Sequence, residues 1–270
     1  MYGFGVLKHI SVLAGMLSGL GDDRLWESEA WDRIVEAYCS QMLPDGRLNM
    51  LNDAYDQQTN SWLLAAARHR RNGLARWLWQ QIVRPCGERR WDPDMPWDYR
   101  PAWWNGFVPH AMLCYDPNVP PVSPQEAGLP RRRYFAFRGV LDVRDGWDEQ
   151  DAFLTMTCRP DIRWRSRLHH QHAQADRGHF SLSALGENFL VDVGYGHEVL
   201  QGTHKVLSPG GTGEGHSVPE IDGCPQVIST LATGFTEVMT KGWAPVGRME
   251  FASTYPAAAM AYRTIAAIPD

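Results

Sequence analysis

Between positions 169 and 180 the chain reads His169-His170-Gln171-His172-Ala173-Gln174-Ala175-Asp176-Arg177-Gly178-His179-Phe180. Imidazole titrates close to neutral pH and is a common metal ligand, so this density of histidine suits either general acid–base work or metal ligation. In an extended segment, side chains two residues apart share a face. That spacing puts His170, His172, Gln174 and Asp176 on one side. A solvated polar strand or loop is the alternative reading of the same residues. No HExxH motif stands anywhere in the chain, which ranks a metal-dependent hydrolase low. The cysteines, Cys39, Cys86, Cys114, Cys158 and Cys224, form no CxxC pair, and their odd number argues against a complete disulfide framework.

The elements that must position these residues change along the chain. Val6, Ile10, Leu13 and Leu17 recur at helical spacing, as do Trp31, Ile34, Val35, Tyr38 and Met42 behind a candidate N-cap at Ser28. Trp62, Ala65, Ala66 and His69 mark a third helix. Leu74, Trp77, Leu78 and Ile82 mark a fourth, set off by Asn72-Gly73. Proline then recurs from Pro85 to Pro130, as in a linker or a loop-rich wrap. From position 131 the period becomes two. Tyr134–Phe137, Val140–Val143, residues 151–158 and residues 180–185 read as strands, and Gly186-Glu187-Asn188 turns the chain into Phe189–Val193 as a hairpin. Further strands are expected near 225–231, 235–240, 248–253 and 259–266. Helices followed by strands give a multidomain α+β protein: helical over 1–110, a linker over 111–130, and antiparallel β over 131–270.

The 270 residues are enough for one large or two ordinary domains, and 44% hydrophobic with 21% charged residues is ordinary for a globular chain. A net charge of −5 gives no general attraction to nucleic acid, although a local basic cleft still suits an acidic sugar. Arg131-Arg132-Arg133 reads as a solvated charge run. No apolar stretch is long enough for a transmembrane helix. Residues 10–20 lack a basic leader and are followed by Asp22-Asp23, so they read as a core helix and not as a signal peptide. The 12 tryptophans pack in cores or form platforms for sugar rings.

The run from His172 to Gly194 resembles the signature of the heparinase II/III-like polysaccharide lyases, on His172, Gln174, Asp176, Gly178, Phe180, Gly186, Asp192 and Gly194. Val143–Trp147 with Ala152–Leu154, Gly215–Val218 with Ile221–Gly223, and Leu51–Ala54 resemble further stretches of that family, in order. The resemblance implies an α/α-toroid portion followed by an antiparallel β-sandwich portion. Both ends are expected to be cut, at Met1–Gly5 and at Ile268–Asp270.

The same resemblance implies β-elimination on a uronate-containing acidic polysaccharide. The C5 proton of a uronic acid is weakly acidic, so the carboxylate must be neutralised and a base held close. His172 matches the family's sandwich histidine, Tyr2 falls in the aromatic-glycine stretch near its catalytic tyrosine, and His170 shares the strand face of His172, where it serves beside it or replaces Gln174 as a ligand. The family's upstream Asn or His has no counterpart here. Asn52 is a candidate substrate-binding residue or a helix cap. Trp103 and Trp104, with Trp91, Trp97 and Tyr99, are candidates to stack on sugars or to fold over a domain junction. A structural zinc held by some members falls on Gln174, Asp192 and His216, where Gln174 departs from the family's histidine and is a poor zinc ligand. His179 and His204 read as ordinary surface or loop histidines. The family also implies a secreted or periplasmic protein. The alternative to a lyase is a catalytically incomplete carbohydrate-binding relative.

Overall fold

The structure, a computed structural model, describes residues 2–49, 61–88, 108–160, 175–192, 213, 215–226 and 233–268. It divides into two compact units, Met1–Leu48 with Tyr55–Leu129, and Asn49–Ala54 with Pro130–Asp270.

The first unit contains α1 (Tyr2–Gly19), α2 (Ala30–Ser40), α3 (Ser61–Arg70), α4 (Gly73–Glu88) and α5 (Val108–Cys114). Every residue of α3 from Ser61 to Ala67 is buried, so this helix is a core element and not an amphipathic one. Trp62, its second residue, is fully buried, with the rings of Trp31 and Tyr38 6.3 and 5.6 Å away. The Asn72-Gly73 break is a cap: Asn72 Oδ1 accepts from the Ala75 N–H at 2.8 Å, while its amide donates to Asp32 at 2.7 Å. Helix α2 begins two residues after Ser28, whose hydroxyl accepts from the Ala30 N–H at 3.3 Å.

Helix α1 buries a different face from the one its periodicity suggested. Ser11 and Ala14 are fully buried, whereas Val6, Ile10 and Leu13 are exposed. Apolar residues surround α1, so spacing alone does not choose a face. Small side chains at 11 and 14 permit the closest approach.

The second unit holds two antiparallel sheets. One is β1 (Arg132–Phe135), β2 (Val140–Arg144), β3 (Phe153–Thr157), β4 (His179–Ala184) and β5 (Glu187–Leu190), paired in chain order. The other is β6 (Gly234–Met239), β7 (Val246–Glu250) and β8 (Tyr262–Ala266). Leu141 and Met156 of the first sheet share one apolar cluster with Met249 of the second and Phe251 just beyond it, and Tyr134 meets Phe235 edge-on. The strand expected near 225–231 lies mostly outside the described residues.

The other face of the five-stranded sheet is polar yet buried. Strand alternation puts Asp142, Thr155 and Ser181 in one cross-strand row, and each is under 5% exposed. Thr155 donates to Asp142 Oδ1 at 3.0 Å and accepts from the Asn49 side-chain amide at 2.9 Å.

Candidate functional site

The hairpin of β4 and β5 turns through Leu185 and Gly186, at φ 54° and 76°. Two successive positive φ values make the two-residue turn that matches the twist of paired strands. Upstream, the chain enters β4 through Asp176-Arg177-Gly178. Asp176 is fully buried and accepts from Arg159 at 3.0 Å and Arg177 at 3.1 Å. Burial opposes its charge, but the two guanidiniums hold its carboxyl below the usual range. Gly178 has φ 79°, and a Cβ there would lie 2.4 Å from the Phe251 ring, so the position needs glycine twice over.

These constraints set His179, the first residue of β4, fully buried. Its Nε2 lies 3.5 Å from Asp192 Oδ2, two residues beyond β5, and Asp192 Oδ2 lies 3.4 Å from His216 Nδ1. The two imidazoles meet edge to face, 5.5 Å between centroids. The three side chains bring one donor atom each within 4.8 Å of one another. Among the described residues, His179 Nε2 and both ring nitrogens of His216 find no hydrogen-bond partner. Burial lowers the pKa of His179. At His216 burial acts the same way, but the Asp192 carboxylate outweighs it and the pKa is raised.

Two side chains tie the segments together. Arg263 of β8 donates to the carbonyl of Gly178 at 2.6 Å and also to that of Ser217, one residue from each histidine. Gln226, fully buried, accepts from the Arg177 N–H at 2.7 Å and donates to the Arg177 carbonyl at 2.8 Å. The Ser217 N–H donates to His179 Nδ1 at 2.9 Å.

Of the residues singled out from sequence, Asp192 and His216 stand together in this cluster. Tyr2 is the first residue of α1, described by its backbone alone. His170, His172, Gln174, Asn52, Trp103 and Trp104 lie outside the described residues, as does His204. His179 is neither a surface nor a loop histidine: it is a buried strand residue facing Asp192. The alternation of Phe180 and Leu182 with Ser181 and Ser183 already placed it on the polar side of β4. That side is buried, against the usual rule for a sheet with one wet face.

No family model matches the sequence, and no curated protein matches it. Solved structures do. A heparinase III superposes with a TM-score of 0.62 at 15% identity over 99% of this chain. The heparan sulfate lyase HepC from Pedobacter heparinus gives 0.61 at 17% over 98%. A further heparinase III gives 0.60 at 14% over 99%. The chain spans about a third of the length of these structures, 35%, 35% and 37% respectively. Its helices and antiparallel sheets thus follow those of the heparinase III and heparan sulfate lyase structures: this is a heparinase II/III-like fold.

Proposed function

We propose that the chain is part of a polysaccharide lyase that cleaves a uronate-containing glycan, of the glycosaminoglycan class, by β-elimination. The observation that carries this reading is the likeness to heparinase III and heparan sulfate lyase structures over 98–99% of the chain. The resemblance of the 172–194 block supports it independently. On this reading the helical unit is a portion of an α/α toroid and the β unit a portion of a β-sandwich.

The reaction removes the C5 proton of the uronate and expels the 4-linked oxygen. Tyr2 and His172 are the proposed proton carriers, with His170 beside His172. A phenol and an imidazole suit this work because their pKa values can be brought close to the pH of the reaction. Trp103 and Trp104 are proposed to stack on sugar rings, and Asn52 to hydrogen-bond the substrate. The family's structural zinc fits Asp192 and His216, a buried carboxylate and an imidazole whose nitrogens have no hydrogen-bond partner among the described residues. Bound there, it would pin the end of the hairpin to the 215–218 turn. The neutral amide of Gln174 is a poor third ligand.

The test is near-ultraviolet absorbance of unsaturated uronate released from heparan sulfate, chondroitin sulfate and alginate, with His172→Ala as control. Loss of a proton-transfer group predicts a fall of about 10²–10⁴-fold. Gln174, where zinc-holding members have histidine, and the lack of a counterpart to the family's upstream Asn or His favour a second reading: a carbohydrate-binding relative that binds glycan without turnover. It predicts binding that survives His172→Ala and no unsaturated product.

A further inference from the structure

We propose that His179 completes a divalent-cation site with Asp192 and His216, supplying the imidazole that position 174 does not. This inference stands on the geometry of the three side chains and does not require the chain to cleave a glycan.

A tetrahedral zinc with bonds of about 2.0–2.2 Å holds neighbouring donor atoms about 3.3–3.6 Å apart. The two donor pairs that share Asp192 Oδ2 are separated by 3.5 and 3.4 Å. Those distances are long for hydrogen bonds and right for edges of a coordination polyhedron. His179 is fully buried and His216 nearly so, yet three of their ring nitrogens lack a hydrogen-bond partner among the described residues. Buried polar atoms in this state are costly, and a cation at the centre satisfies two of them at once. Asp176, also fully buried on this segment, is already held by Arg159 and Arg177 and is not counted among the ligands.

The Ser217 N–H adds a constraint. It donates to His179 Nδ1, which leaves the proton of the neutral ring on Nε2, facing Asp192. Coordination through Nε2 moves that proton to Nδ1 and gives up the Ser217 contact. One neutral hydrogen bond is a small loss against a bond to the metal, so the cation and the Ser217 contact exclude each other.

Zinc(II) alone is added to chelator-stripped protein at neutral pH, free metal is removed, and zinc per chain is measured with the melting temperature. About one zinc per chain is expected in the parent and in Gln174→Ala, and less than about a tenth in His179→Gln, whose melting temperature zinc no longer raises. Nitrogen-15 spectra of the parent need no substitution: zinc should move the ring signals of both His179 and His216 and the amide of Ser217. Absence of zinc from the parent overturns the proposal. So does full retention by a folded His179→Gln, loss in Gln174→Ala, or zinc binding that leaves the His179 ring signals unmoved.

Discussion

Arg263 Nη1 donates to the carbonyl oxygen of Gly178 at 2.6 Å, and the same nitrogen reaches the carbonyl of Ser217. One guanidinium on β8 thereby fixes the residue before His179 and the residue after His216. Arg263→Ala leaves both carbonyls without this charged donor. A loss of roughly 1.5–3 kcal/mol is expected for hydrogen bonds to a charged group. Urea unfolding measures it, and an unchanged midpoint would show that the two segments are held by other contacts.

Gly178→Ala should cost more, roughly 2–4 kcal/mol, because a positive φ and an overpacked contact add. The added Cβ meets the Phe251 ring at 2.4 Å, and φ is 79°. Pairing it with Phe251→Leu separates the two causes: relief by the second change isolates the steric part.

Leu185→Asn should stabilise the chain. Leu185 is exposed and sits at φ 54° in the β4–β5 turn, a conformation that costs a branched aliphatic residue. Asn-Gly is the preferred pair for this turn, so a gain of about 0.5–1 kcal/mol is expected in thermal or urea unfolding.

Asp142 predicts a pH dependence. Burial raises its pKa from 3.8 to about 7, while Arg144, Arg138 and Arg133 and the hydrogen bond from Thr155 act in the opposite direction. The folded chain keeps this proton through a range in which the unfolded chain has released it. The stability it contributes is complete below 3.8 and is lost as the pH rises through about 7. The slope over that range is up to about 1.4 kcal/mol per pH unit. Asp142→Asn should flatten this part of the profile, and an identical slope in parent and variant would assign it to other groups.

Much of the fold was legible because local signals agreed. Asn72-Gly73 separated two helices through a side-chain cap, and Gly186 marked a hairpin that its positive φ requires. Asp192 and His216 were legible only through the family pattern, since nothing local links residues so far apart in the chain. His179 was missed for a physical reason. Alternation tells which residues share a face of β4 but not whether that face is wet, and here the polar face is the buried one. The exposed side of α1 was missed for the complementary reason: apolar residues on every side carry no preference.

The most direct test of the lyase reading is the mass of the products formed from heparan sulfate, compared with His172→Ala. β-Elimination divides the chain without taking up water, so the fragment masses must sum to that of the parent glycan, with a double bond in the new non-reducing end. The account predicts that result from the parent protein and its loss in the variant. Fragments that have gained a water, or an intact glycan bound equally well by both proteins, would contradict it.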